Sequence, residues 1–280
     1  MTIKGGSTKR KRTCMSIVEE IIALLGTFKA ISLDEVAKAS LMRRKDSKYI
    51  LSVTDLPQIL PEIRPEYRVL EIEDQRSHGY VTHYFDTPDL EMYQMHHRGK
   101  ANRHKVRFRK YGTSDLHFLE VKTKNAKGFT IKNRVKTNGM GASILTTEEE
   151  FLLSHTPYQA SNMVPVLGNQ FNRITLVRLD QSERITLDYG LHFMRLDTDQ
   201  SIDLPGVSIA EIKYQGLLAG SPFSNALRGI HVTPDRFSKY AIGTSLLRPE
   251  LKQNRFKMKI RKVHRINEQY LNNLKSELHA

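Results

Sequence analysis

Three successive segments of this chain place a cation at every second position. They are Arg107 and Arg109 within Val106 to Lys110, Lys122 and Lys124 behind Glu120 within Phe118 to Lys124, and Lys132, Arg134 and Lys136 within Thr130 to Lys136. Residues i and i+2 of a strand share a face. Val106, Phe108, Leu119, Val121, Ile131 and Val135 therefore fall on the side opposite the charges. Arg184 with Asp188, and Glu211 with Lys213, repeat the arrangement in two further segments. A half-buried strand ordinarily has one polar face, and a single such segment needs no other explanation. Five whose shared face is mainly cationic constrain the fold more tightly. If the sheet curls with these faces inward, it encloses about ten positive charges that repel one another unless an anion fills the space. Arginine grips phosphate as a fork and lysine as a point charge, so a phosphate chain suits such a lining. The isolated carboxylates on the same face suit a divalent metal that bridges phosphates.

Composition agrees with this reading. The 280 residues carry 44 Lys and Arg against 30 Asp and Glu, a formal net charge of +14 that predicts a polyanionic partner. A chain of this length with 39% hydrophobic residues can bury a core without staples. Cys14 is the one cysteine, which excludes an internal disulfide and a cysteine-based zinc site and suggests a reducing, cytoplasmic setting. No apolar run reaches the roughly 18 residues of a membrane span. The start, Met1 to Arg12, reads as a basic tail, since Glu19 and Glu20 interrupt the apolar stretch behind it. No phosphate-binding G-x-x-x-x-G-K-[ST] loop is present. Six histidines between His78 and His117 lack any metal-ligand spacing.

Ser16 with Glu19, and Ser32 with Glu35, are capping boxes that predict two N-terminal helices, the second running to about Met42. Strands are expected over Lys48 to Val53, Tyr67 to Glu73, Gly79 to Asp86, Lys105 to Tyr111, His117 to Lys124, Thr130 to Lys136, Phe171 to Leu179, Arg184 to Asp188, His192 to Leu196 and Val207 to Tyr214. Pro57 and Pro61 are expected to break a short helix at Asp55 to Leu60. Thr87-Pro88 opens another, and helices follow from Thr146, from Ser221-Pro222 to Gly229, and over the basic tail from Leu251. No βαβ rhythm appears, so the fold class is α+β with a mostly antiparallel sheet, as a barrel or sandwich.

At these residues the chain resembles the VTC domain, the polyphosphate-polymerase domain of the vacuolar transporter chaperone complex and its bacterial relatives. The resemblance rests on His104 to Gly112, Phe118 to Lys124, Lys132-Asn-Arg134, Tyr84 to Asp89, Phe171-Asn-Arg173, Arg184 to Asp188, Glu211-Ile-Lys213 and Phe237 to Tyr240, in that family's order. It covers roughly Leu41 to Leu247. It implies the triphosphate tunnel fold, a closed antiparallel β-barrel tunnel with flanking helices, over 46–247. A basic tail with N-terminal helices over 1–45 would precede it, and a basic C-terminal helix over 248–280 would follow. It further implies that Arg107, Arg109, Lys132, Arg134, Arg173 and Arg184 act on the transferring phosphoryl group. Lys48, Lys122, Lys124, Lys213 and Lys239 would bind phosphate. Glu211 would hold the metal, Mn2+ or Mg2+, with Glu120 as a second candidate. One departure is plain. The wider superfamily opens its first strand with Glu-x-Glu-x-Lys, whereas Arg44-Lys-Asp-Ser-Lys48 keeps a single carboxylate.

The expectation is therefore a metal-dependent polymerase that moves the γ-phosphate of ATP onto an inorganic polyphosphate chain. A membrane-associated partner protein would fit the vacuolar precedent. A tripolyphosphatase or nucleoside triphosphatase of the same fold is the first alternative. The second is a module binding RNA or anionic lipid through Lys4 to Arg12 and Lys252 to Arg265, although the inward charges disfavour nucleic acid as the occupant.

Overall fold

The computed structural model describes residues 15–38, 45–112, 116–127 and 129–278. Lys4 to Arg12, Cys14, Arg44 and the expected helix end at Met42 lie outside them. In chain order the elements are α1 (Ile17–Gly26), β1 (Lys29–Ile31), α2 (Leu33–Lys38), β2 (Lys45–Ser52), α3 (Leu56–Ile63), β3 (Tyr67–Leu70), β4 (His78–Asp86), α4 (Glu91–Arg98), β5 (Arg103–Tyr111), β6 (Leu116–Lys124), β7 (Thr130–Thr137), α5 (Thr146–His155), β8 (Val164–Arg178), β9 (Glu183–Arg195), β10 (Ser201–Leu204), β11 (Val207–Tyr214), α6 (Pro222–Gly229), α7 (Lys239–Leu247) and α8 (Lys257–Leu278). The main sheet runs β2-β11-β9-β8-β4-β5-β6-β7, with β10 on β9 and β3 on β8. Every pairing is antiparallel except that of β1 with β3.

The alternation works as anticipated. Tyr49, Leu51, Ile174, Leu176, Ile185, Leu187, Ala210 and Ile212 point outward and bury one core beneath α1, α3 and α6. Val106, Phe108, Leu119 and Val121 bury a second beneath residues of α4, α5 and α7. Each fully buried Leu, Ile or Phe contributes about 1.5–3 kcal/mol, and together they hold the charged faces turned inward. The sheet curls until β2 faces β5, β6 and β7 across a cavity of ≈ 760 Å³. Hydrogen bonding does not complete the circle: among the described residues β2 and β7 share no ladder. The free edge of β2 is met instead by one isolated bridge, in which Asp235 N donates to Lys48 O at 2.6 Å.

Local details follow the capping chemistry. Ser16 N donates to Glu19 and Glu19 N to Ser16 Oγ at 2.7 and 3.3 Å, and Ser32 with Glu35 repeats the box. Pro61 does not break α3, because buried Leu56, Ile59, Leu60 and Ile63 form an apolar stripe that outweighs one missing donor near its end. The two strands expected at Arg184 and His192 are a single β9, and a register shift against β8 between Gln170 and Asn172 absorbs the irregularity. β8 likewise starts seven residues before the expected Phe171, at Val164. α7 lies close on β8 and β9, since a Cβ at Gly243 would stand 2.4 Å from the Phe193 ring.

The helix expected to open at Thr87-Pro88 is capped from further back. Fully buried Asp86 accepts from Met92 N and Tyr93 N, each at 2.9 Å, and from the hydroxyl of Tyr240 on α7. One carboxylate thus ties β4, α4 and α7 together. Asp86→Ala is expected to lower the unfolding free energy by about 1 kcal/mol for the lost cap. The stranded Tyr240 hydroxyl adds about 1–3 kcal/mol. A fall in the urea midpoint at unchanged slope is the measurement.

Candidate phosphate-binding site

The register sets the inner face strand by strand. Arg107 stands opposite Glu120, and Glu120 opposite Arg134. Arg173 stands opposite Asp188, Glu211 opposite Lys48, and Lys213 opposite Arg184. What results is three carboxylates, each held between two cations. Glu120, fully buried, accepts from Arg107 Nε and Nη2 at 2.8 and 2.6 Å, pairs with Lys132, and accepts from Tyr111 Oη at 2.7 Å. Asp188 takes a fork from Arg173 at 2.6 and 2.7 Å and a contact from Lys239, which reaches in from the start of α7. Glu211 bridges Lys48 and Lys213, the latter at 2.6 Å. Burial alone would raise all three carboxyls; the flanking cations reverse this and hold each well below the usual carboxylate range. Each trio remains net positive.

Arg109, Lys122 and Lys105, on the same face, carry no ion pair among the described residues. Arg109 is buried and its Nε donates to Thr82 Oγ1 at 3.1 Å. Lys122 is held well below its usual pKa, first by Arg107 and then by burial. Lys105, on the same strand face as Arg107, donates to Ser238 Oγ at 2.9 Å, and burial with Arg103 and Lys48 nearby brings it to about 7. Such groups are electrostatically unsatisfied, and an anion among them would be favoured.

The arginines rest on an aromatic row that the alternation argument did not find. Tyr80 and Phe171 stack at 5.2 Å, and Tyr80–Tyr111 and Tyr111–Phe118 continue the row edge to face at 5.3 and 5.6 Å. Arg173 lies over Tyr80 at 4.9 Å, Arg109 over Tyr80 at 5.5 Å, Arg134 over Phe118 at 4.6 Å and Lys239 over Phe171 at 4.2 Å. A ring face beneath a guanidinium holds it without consuming its N–H donors. The sequence signal was available: Tyr80, Tyr111, Phe118 and Phe171 share the inward parity of the cations beside them.

The structure gathers Arg107, Arg109, Lys122, Lys132, Arg134, Arg173, Lys213, Lys239 and Lys48 on one surface. Arg184 follows at its rim, opposite Lys213. Lys124 stands apart from the ring, paired in register with Arg103 where β5 and β6 reach the cavity mouth. Glu120 and Glu211 belong to different trios, and the described residues contain no group of three or more His, Cys, Asp or Glu able to hold a metal by themselves. Among them, too, no helix is long and apolar enough to cross a membrane.

The cations predict a pH effect. Lys105 and Lys239 have pKa values lowered to about 7 and about 8, each by burial first. Both are charged below those values and lose charge above them, whereas a bound polyanion favours the charged form. Tripolyphosphate is expected to bind more weakly as pH rises from 6.5 to 8.5, with proton uptake on binding in that window. Calorimetry in two buffers of different ionisation enthalpy measures the uptake directly.

Comparison with known proteins adds three findings. The family model described as the VTC domain matches residues 43–248. No curated protein matches the sequence. Among solved structures, a putative adenylyl cyclase from Hippeastrum, described as having a dominant triphosphatase activity, is 14% identical with a TM-score of 0.47, covering 72% of this chain and 96% of its own. The PH1819 protein of Pyrococcus horikoshii is 14% identical with a TM-score of 0.41, covering 71% and 97%.

Proposed function

The chain belongs to the VTC-domain family, and from that premise we propose that it is a phosphoryl-transfer enzyme acting on triphosphates, a polymerase that extends inorganic polyphosphate from ATP. Family membership supports the coarser statement, a polyphosphate- or triphosphate-related activity. The observation that carries the finer one is the first strand, where Asp46-Ser-Lys48 keeps a single carboxylate. The inner surface, with each carboxylate committed to two cations, supports the anion that transfer and hydrolysis would share.

In the proposed step the bond between the γ-phosphorus of ATP and its β-bridging oxygen breaks, and a bond forms to a terminal oxygen of the acceptor chain. ADP leaves with the electron pair, and the chain grows by one phosphate. Such transfer requires positioning and charge neutralisation more than covalent help. Arg107, Arg109, Arg134 and Arg173 would spread the charge on the transferring group and the acceptor. Lys132 and Lys239 would fix the flanking phosphates. A terminal phosphate oxygen is already ionised, so no side chain need act as base. The single-sided Asp46-Ser-Lys48 strand offers no second glutamate to orient a water, which favours transfer over hydrolysis.

The residues fit a hard divalent cation that arrives with its substrate. Glu211, whose two oxygens pair with Lys48 and Lys213, would have to exchange one lysine for the metal, and phosphate oxygens and water would supply the rest of its ligands. When bound, the metal would neutralise charge on the β- and γ-phosphates. Incubation of the protein with ATP and Mn2+, reading polymer length, ADP and free phosphate together, tests the proposal. Polymer growing in step with ADP supports it. Phosphate released in step with ADP, with no polymer at any primer concentration, moves the chain to the hydrolase alternative.

A further inference from the structure

The paired cations of β5 and β6 do not stop at the ring. Lys105 stands opposite Lys122, and one step outward on the same face Arg103 stands opposite Lys124, at the cavity mouth. Two more arginines meet them there from distant parts of the chain. Arg236 is brought in by the bridge between Asp235 and Lys48. Arg255 is anchored by its Nη1, which donates to the His97 carbonyl at 3.1 Å at the end of α4. Gly99 makes room for it: a Cβ there would stand 2.5 Å from Arg255 Nη1. Arg103, Arg236 and Arg255 are close enough that the last two depress the pKa of the first, after burial. The carboxylates at the mouth do not cancel them. Asp235 is taken by Lys259 at 3.3 Å, and Asp46 lies across from Lys213.

We propose that the mouth formed by Arg103, Arg236 and Arg255 is a second anion subsite, which holds the part of a phosphate chain that extends beyond the ring and so selects long inorganic polyphosphate over tripolyphosphate. This rests on the ring being the triphosphate site. A phosphate chain suits the mouth better than the nucleoside end of ATP. The nearby aromatic rings are unavailable for stacking, since Phe256 is enclosed edge to face by Tyr93, His96 and His97, and Phe237 is buried. With no open ring there to stack a base, the guanidinium forks are matched best by phosphate oxygens. The unbroken run from Lys122 to Lys124 and from Lys105 to Arg103 gives such a chain a continuous cationic path.

The test compares affinities of the full chain for tripolyphosphate, ATP and long-chain inorganic polyphosphate by calorimetry, in the wild type and in Arg236→Ala/Arg255→Ala. The wild type is expected to prefer the long chain, and the double variant to lose about five- to tenfold of that preference. A Lys29→Ala/Arg64→Ala variant removes the same charge from exposed positions that do not line the cavity. If it lowers the preference equally, bulk charge is responsible and the proposal is overturned. Loss confined to ATP relative to tripolyphosphate would assign the arginines to the nucleoside and also overturn it. The ring is tested separately by Arg109→Ala. Lost tripolyphosphate binding with intact circular dichroism supports the reading beneath the proposal, whereas retained binding would remove that reading and the proposal with it.

Discussion

Arg109→Ala is expected to lose about 10²–10³ in turnover while its unfolding curve stays that of the wild type. The guanidinium is buried yet has no carboxylate to balance; it lies over Tyr80 and Phe171 and donates to Thr82. Burial, then Arg107 and to a lesser degree Arg173, bring its pKa down to about 10, so removing it relieves that repulsion. Function and stability should therefore separate at this position. Initial rates with ATP, alongside urea unfolding of the same preparation, decide the matter: unchanged turnover would take the ring out of the mechanism.

Arg107→Ala should behave oppositely in stability. Its fork satisfies Glu120, which has no exposure to water, and stripping one partner from a buried ion pair costs about 3–5 kcal/mol. The lower end applies here, because Lys132 and Tyr111 still contact the carboxylate. Replacing the pair together, as Arg107→Met/Glu120→Gln, should recover part of the loss, because no buried carboxylate is left without Arg107, while Lys132, 35% exposed, gives up its partner to water. Equal unfolding free energies for Arg107→Ala and the wild type would show that Glu120 is balanced without Arg107.

The two arginines lie two residues apart on one strand and look equivalent in the sequence. What distinguishes them is register. That Arg107 meets Glu120, while Arg109 meets Phe118, depends on the β5–β6 hairpin being aligned at one residue and not its neighbour. Alternation within β5, β6 and β7 was legible because a strand has period two whatever it pairs with. The carboxylate trios were not, because Arg173 with Asp188 and Lys239, or Glu211 with Lys48, join distant segments. Lys105 shares the parity of Arg107, but parity does not show that Ser238 holds it or that burial with Arg103 and Lys48 lowers its pKa. α7 escaped as a helix since Tyr240 to Ser245 are buried on every side and leave no amphipathic period to detect. Asp86 ends the strand expected over Gly79 to Asp86, as it ends β4, and its work as a cap shows only once Met92 and Tyr93 come round to it.

The missing ladder between β2 and β7 gives the enclosure the cross-section of a C, not an O. Backbone hydrogen bonds resist widening everywhere else around the wall, so the gap is its line of least resistance. Lys48 and Lys213 stand on one side of the opening with Glu211 between them, and Lys122 and Lys132 stand on the other, where Lys122 is within electrostatic reach of Glu211. If the proposed function holds, an anionic chain lying between them would attract both sides at once and act as a clasp. The loaded form would then be the stiffer of the two, with the phosphate chain a structural part of the wall that surrounds it.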